Sequence, residues 1–467
     1  MSKKNITPEI TFGKAIIVVI ALIVVIFLGY QVFNLDTKVI FTLTAVVVGL
    51  LLLAYGFKYD EIIKMFTDGC KGSMDVCIIL MCVGTVIGTW MASGVVPTII
   101  YYGLKLLTPT SFMLIGFFLC CLVSFFIGSS YSTLATLGVA FIGIGTGLGM
   151  NLGLVAGMVL SGAMFGDKMS PFSDTTNLAP AVSGTTVWKH IGSMMYTVTP
   201  AVVISAVLYG VLGARYQTDA ADLSKAEEMI AAVQANFNVT PILLIVPVLV
   251  LVLAVLKVPS VPALLASSAF AMIFGFFTQE HGFVTIVNSL GVGFSMETGS
   301  ADLDRLINRG GIGSMMEVIA WTLLTLGMGQ MLKDSGVLNA FLSKIVTYIK
   351  SKKGCVIVTL LFSLCTSMLT ASQYLALMLP GLLMKDQYTK YKLDKRVLSR
   401  TLEDGGTMFS FLVPWDTAAI YTASVLGVST VTYAPYAFLL VLCPIIAAIY
   451  ALVGFAQFPD TELEEAA

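Results

Sequence analysis

Long apolar runs separated by short polar connectors fill almost the whole chain. Residues 14–33, 37–57 and 73–94 each approach the ~20 apolar residues a helix needs to cross a bilayer, and they read as three spans. A polar N-terminus with Lys3 and Lys4 precedes them, and an amphipathic connector with three lysines, 58–71, separates the second from the third. The short mixed stretch 95–107 reads as an interfacial helix. The segment 111–149 is apolar at both ends and broken in the middle by Gly128-Ser129-Ser130-Tyr131-Ser132-Thr133. It is either two spans with a tight turn or a re-entrant hairpin. Irregular backbone at membrane depth is tolerated only where it is buried in protein or lines a cavity.

The next run, 151–185, carries a stretch no lipid-facing helix would hold: GDKMSPFSDTTNLAP, at 166–180. Further spans are expected at 191–216, 240–256 and 262–277. A charged loop lies at 217–238, a connector at Lys257 and a long polar loop at 279–310. A span at 314–331 and a basic interfacial segment at 332–353 follow. Next comes a second hairpin-like run, 355–384, with Thr370-Ala371-Ser372-Gln373-Tyr374 at its centre. After a basic loop, 385–400, the run 401–426 is interrupted by FLVPWDTAA at 411–419. The last span is 431–455, and an acidic tail, 460–465, ends the chain.

The second half repeats the first. One ungapped offset of 242 residues lays Ser93-Gly94-Val95 on Ser335-Gly336-Val337, Ser130 on Ser372, and Asp174-Thr175 on Asp416-Thr417. The expected division is a first repeat at 1–216, an extracytoplasmic connector at 217–239 and a second repeat at 240–467. Counting crossings from the third span to its copy gives an odd number, so the second repeat is expected to be inverted. Cytoplasmic termini agree with the positive-inside rule, because 58–71, Lys189, Lys257, 333–353 and 385–400 then all fall inside.

Composition narrows the class. Of 467 residues, 57% are hydrophobic and only 11% charged, against roughly 25% charged in a soluble protein. A net charge of -1 suggests no nucleic-acid partner. Most of the eight cysteines sit in apolar runs, where a free thiol behaves as a small hydrophobe. There is no metal cluster, nucleophile elbow or nucleotide motif, so an enzyme is not expected.

The candidate chemistry lies in the two interruptions. Where a helix breaks, freed carbonyl and N–H groups lose their internal partners, and a bound ion can satisfy them. A carboxylate at mid-membrane costs on the order of 2.5–3.5 kcal/mol or more, so Asp174 and Asp416 are expected to pair with a cation or a proton. Carboxylate, hydroxyl and carbonyl oxygens suit a hard alkali cation. Na+ bound through Asp174 and Asp416 in competition with H+ would be the minimal chemistry of an antiporter. Ser129, Ser130, Thr133, Thr175, Thr176 and Asn177 would complete a first site, and Ser372, Gln373 and Thr417 a second. Helix capping and interhelical hydrogen bonding are the plainer readings of the same residues. Asp167 and Lys168, adjacent in the chain, either form structural ion pairs with other residues or take part in a proton path. Glu403 and Asp404 are either an access-path acid pair or a solvated helix start. His190 and His281 are placed in loops.

The stretch GDKMSPFSDTTNLAPAVSGT, 166–185, resembles the signature of the NhaC-type Na+/H+ antiporter family, and the VPWDTAA motif at 413–419 agrees with it. The resemblance implies an all-α polytopic membrane protein of two inverted-topology repeats. Each repeat would have a re-entrant hairpin (111–149 and 355–384) and a discontinuous transmembrane helix (151–185 and 401–426). It also implies Na+/H+ exchange by alternating access in a prokaryotic plasma membrane, with no cofactor beyond the transported ions, and a homodimer. Related members resemble malate/lactate antiporters. The alternative is therefore a Na+-coupled carrier of a small organic anion or amino acid.

Overall fold

The computed structural model describes residues 8–218, 220–256 and 258–458. Lys3, Lys4, Lys257 and the acidic tail lie outside them. The described residues fold into helices without a strand. In the first half these are α1 (Phe12–Phe27), α2 (Thr37–Ala54), α3 (Tyr59–Gly72), α4 (Met74–Ala92), α5 (Val95–Leu106), α6 (Pro109–Ile127), α7 (Ser130–Thr133), α8 (Val139–Gly147), α9 (Leu152–Met169), α10 (Asp174–Ser183) and α11 (Val187–Ala214). Then come α12 (Ala220–Asn236), α13 (Ile245–Val255), α14 (Ser260–Thr278), α15 (Phe283–Val292) and α16 (Ala301–Ile307). The second half holds α17 (Gly311–Asp334), α18 (Val337–Val346), α19 (Lys352–Thr370), α20 (Gln373–Lys390), α21 (Lys395–Gly405), α22 (Thr407–Ser410), α23 (Thr417–Leu426), α24 (Thr430–Tyr433) and α25 (Phe438–Val453). Nine of the described helices are long and apolar enough to cross a membrane, or up to eleven if each sharply bent pair is one span. The protein is a multi-pass helical membrane protein.

Hydrophobic placement separates centre from periphery. In α9 the apolar window is 89% buried inside the protein, whereas in the first span it is 33% buried, with Ile17, Ile20, Ile23 and Phe27 exposed. The first belongs to the interior and the second to the lipid boundary. α6 runs against α9, and α19 runs against α21 and α22.

Helix ends recur at a nearly constant spacing along the two halves. Gly94 and Gly336, both left-handed, precede α5 and α18 at an offset of 242 residues. From the next helix onward the offset is 243. Thr108 and Ser351 cap α6 and α19. Ser129 and Ser372 cap the returning arms, and Asn151 and Asp394 cap α9 and α21. Left-handed Gly184 and Gly427 close α10 and α23. Close packing agrees. A methyl at Gly162 would lie 2.6 Å from the Phe117 carbonyl and 2.5 Å from Cys120 Cβ. One at Gly405 would lie 2.8 Å from the Leu360 carbonyl and 3.2 Å from Ser363 Cβ, the same two positions 243 residues later.

The extra residue falls between Gly336 and Lys352, so the ungapped 242 alignment is one residue out at both hairpin tips and both breaks. In the helix register Ser129 matches Ser372, Ser130 matches Gln373, Ser173 matches Asp416, and Asp167 matches Ser410.

Other segments also differ from the sequence reading. The stretch expected to be interfacial, α5, is largely buried and packs on α8. The expected span 240–256 has a helix of only 11 residues, α13, preceded by a 3-10 turn; the preceding helix meets this run at a bend of 100°. The polar loop 279–310 contains α15 and α16. His190 is buried in the first turn of α11, with Nδ1 2.7 Å from Ser399 Oγ.

Candidate functional site

The first break separates α9 from α10 at Ser170-Pro171-Phe172-Ser173. Pro171 lacks an N–H and cannot continue the helical ladder. Thr176 Oγ1 turns back to the freed carbonyls of Asp167 (2.8 Å) and Lys168 (3.1 Å). Asn177 Nδ2 donates to the carbonyls of Pro171 and Ser173. These two predicted residues hold the break itself together.

Asp167 occupies the last turn of α9. Ser130 Oγ, from the hairpin tip, donates to its Oδ2 at 2.6 Å, and Ser173 Oγ, from across the break, donates to its Oδ1 at 2.5 Å. Thr175 is 3.2 Å from Ser173 Oγ. Ser129 caps α7, and Thr133 Oγ1 donates to the Ser129 carbonyl. Asp174 is the first residue of α10 and is exposed; among the described residues no hydrogen bond to its carboxylate is present.

The second break uses related parts. Asp416 is fully buried and caps α23, accepting from Ala418 N at 3.1 Å. Ser367 Oγ on α19 donates to its Oδ2 at 2.7 Å, with Ser410 Oγ 3.0 Å from Ser367 Oγ. Thr417 Oγ1 donates to the carbonyl of Ala371 at the second tip. Gln373 Nε2 reaches Tyr131 OH at 3.2 Å, and Tyr421 OH donates to the Tyr131 carbonyl at 2.6 Å. The first tip is thereby tied to the second repeat.

A cavity of about 460 Å³ lies where these parts converge. Ser129, Asp167, Asp174 and Thr175 line it from the first half, and Ser372, Gln373 and Thr417 from the second. Tyr131 and Tyr374, register mates on the two tips, add aromatic faces. Asp68 and Lys333 also border it. Asp68 lies on α3, outside the spans, and its hydrogen bond from Lys71 holds its carboxyl below the ordinary carboxylate range. Asp416 does not line the cavity, nor do Ser130, Thr133, Thr176 and Asn177. Among the described residues no group of three or more His, Cys, Asp or Glu could hold a metal ion.

Lys168, Glu403 and Asp404 lie off the cavity. Lys168 Nζ bonds Asp404 Oδ1 at 2.5 Å with both side chains fully buried, so the predicted acid pair does not form a solvated helix start. Thr197 Oγ1 also reaches Asp404, and Thr407 Oγ1 donates to Glu403 Oε2 at 2.7 Å.

Ser173, Ser367 and Ser410 escaped the sequence reading. Single serines in apolar helices carry little signal, and the 242 register drew attention to Asp174 as the mate of Asp416.

Two interrupted helices, two hairpin tips and an acid-lined cavity, set in a bundle of membrane-length helices, define the architecture of a secondary transporter. The sequence profile of the Na+/H+ antiporter family matches residues 4–176 and 162–455. The chain belongs to that family. It is 36% identical over 409 residues to a Na+/H+ antiporter NhaC of Alkalihalophilus pseudofirmus, covering 87% of each chain. It is 37% identical to a malate-2H+/Na+-lactate antiporter of Bacillus subtilis, covering 94% of each. It is 32% identical to an arginine/ornithine antiporter of Halobacterium salinarum, covering 98% of this chain and 96% of that one.

Proposed function

We propose that this protein exchanges Na+ for H+ across the plasma membrane by alternating access. The observation that carries the reading is a cavity bordered both by Asp167 and Asp174 of the first break and by Ser372, Gln373 and Thr417 of the second half. Na+ entering it meets two carboxylates and several hydroxyls, the donors a hard cation prefers. Ser130 and Ser173 donate to Asp167 and hold its carboxylate at the cavity wall. The lining hydroxyls of Ser129, Thr175, Ser372 and Thr417 can each turn a lone pair toward a bound ion. Na+ and H+ compete for the same carboxylates, so each displaces the other, and apparent Na+ affinity falls as pH falls. Asp416, with Ser367 and Ser410, is the corresponding cation site of the second break, sealed in this conformation.

In this reading the two repeats are inverted, the tips meet the breaks at mid-membrane, both termini are cytoplasmic and the working unit is a homodimer. The protein needs no cofactor. Reconstitution into proteoliposomes tests it: an imposed Na+ gradient is expected to move protons, and Asp174→Asn to reduce that movement at least tenfold, about 1.4 kcal/mol. Undiminished exchange by Asp174→Asn would remove that residue from the site.

A second reading is Na+-coupled exchange of a small organic anion or amino acid. The cavity favours it, being far larger than the roughly 30 Å³ that one water occupies in the liquid. Labelled malate, lactate and arginine, offered with and without a Na+ gradient, separate the two.

A further inference from the structure

Four charged side chains lie buried between the two halves, none of them lining the cavity: Lys168 on α9 and Arg400, Glu403 and Asp404 on α21. Removing such groups from water costs several kcal/mol each, even when paired. Their hydrogen bonding is incomplete. Among the described residues no donor reaches Glu403 Oε1 or Asp404 Oδ2, and no acceptor reaches Arg400 Nε or Nη1. Arg400 Nη2 donates to the Ala456 carbonyl.

The internal repeat supplies a control within the same chain. In the 243 register, Arg400, Glu403, Asp404 and Thr407 fall on Gly157, Leu160, Ser161 and Met164 of α9. The matched helices pack alike: α21 lies against α11, and α9 against α25. At matched positions, Asp404 accepts from Thr197 of α11 while Ser161 accepts from Leu439 N of α25. The fold therefore has an uncharged solution for this position, and Glu403 stands where the first half has leucine. Structure alone does not call for an acid there.

We propose that Glu403 carries a further proton of the exchange, one that must move in each cycle alongside the proton that competes with Na+ at the cavity carboxylates. This rests on the exchange reading above. A buried carboxyl oxygen without a donor is tolerable in a neutral acid and costly in a carboxylate, so the protonated form fits the present conformation. Lys168, Asp167 and Asp404 are the charged groups that act on it. Arg400 lies on the same helix, one turn away. His190 of α11 (bonded to Ser399), Tyr196 of α11, Tyr388 of α20, Cys355 of α19, and Cys443 and Tyr450 of α25 are the further titratable groups around this cluster. When Glu403 releases its proton, Lys168 is left between two carboxylates, Glu403 and Asp404. Lys168 adjoins Asp167 in the chain, and its carbonyl is held by Thr176, so its movement is felt at the cavity. No other reactant is needed: a proton leaves the Glu403 carboxyl and returns to it.

The test separates proton coupling from cation binding in proteoliposomes. Na+ counterflow, labelled against unlabelled at equal pH, needs no proton movement; Na+ uptake driven by a pH gradient does. Glu403→Gln keeps the shape and the Thr407 bond but cannot ionise. It is expected to retain counterflow within about twofold and to lose at least about 100-fold of pH-driven uptake, the lower range for removing a proton-transfer group. Full pH-driven uptake would overturn the proposal. So would equal loss of both activities in folded protein, which marks a structural role. If Glu403→Gln does not fold, Thr407→Val, which removes the hydrogen bond to Glu403, is read instead. A shifted pH midpoint with unchanged counterflow supports the proposal, and an unshifted one overturns it. Wild-type protein without Na+ counterflow would remove the cation reading itself, whatever Glu403→Gln does. The same split is then read with labelled malate.

Discussion

The two broken helices are built from the same parts in opposite order. In the first, a carboxylate (Asp167) precedes the break and a hydroxyl (Ser173) stands at the N-cap position of the helix after it, turned back to Asp167. In the second, the hydroxyl (Ser410) comes before and the carboxylate (Asp416) caps after. The swap changes what each carboxylate can do. Asp416 is held by Ser367 and by the N–H of Ala418 and lies off the cavity. Asp167 is held by Ser130 and Ser173 and lines the cavity. One framework thus yields an open acid and a sealed one.

The largest expected effect concerns the asymmetry between the halves. Lys168→Met leaves Asp404 buried without its cation and should destabilise the protein by about 3–5 kcal/mol in denaturant titration. Ser161→Ala, at the register mate of Asp404, should cost about 1–3 kcal/mol, since only neutral hydrogen bonds are lost. Equal losses would mean that the buried charge makes no difference.

A medium effect probes the shared register. Gly162→Ala and Gly405→Ala both push a methyl against a carbonyl and a Cβ on the facing helix, and overpacking of this kind costs about 1–3 kcal/mol. The contacts are tighter at Gly162, so the first substitution should lower thermal stability more. The reverse order would contradict the packing match between α6–α9 and α19–α21.

Much of this arrangement could be read from the chain. Polar islands in apolar runs marked both tips and both breaks, because nothing else puts Ser, Asp and Asn inside a span. The register could not be read. One extra residue after Gly336 has no hydrophobic signature, yet it moves every later pairing by one position. The sequence therefore paired Asp174 with Asp416, whereas the helix caps pair Ser173 with Asp416. Asp167 and Lys168 are neighbours in the chain, yet they face different partners: the lysine meets Asp404 and the aspartate meets two serines. Neighbours on a helix point about 100° apart, and only the packing says what each side meets. His190 read as a loop residue because Trp188 and Lys189 beside it are polar or amphipathic, while its own face turns inward to Ser399.

The smallest effect separates the two hydroxyls that changed places. Ser173→Ala removes a charge-assisted hydrogen bond at the open acid and should weaken Na+ activation of exchange about tenfold, or ~1.4 kcal/mol. Ser410→Ala, at the sealed acid, should change it by less than about twofold. Equal effects would erase the distinction between the sites.

The most direct measurement is equilibrium Na+ binding to purified wild-type protein and to Asp167→Asn, each at acid and at alkaline pH. Wild-type protein should bind Na+ more tightly at alkaline pH, where protons no longer compete. Asp167→Asn should bind about 100-fold more weakly, close to the ~3 kcal/mol of a strong charge-assisted contact, and lose most of that pH dependence. If Asp167→Asn binds Na+ like the wild type with the same pH dependence, Asp167 is not where Na+ and H+ compete, and the cavity at the first break is not the exchange site.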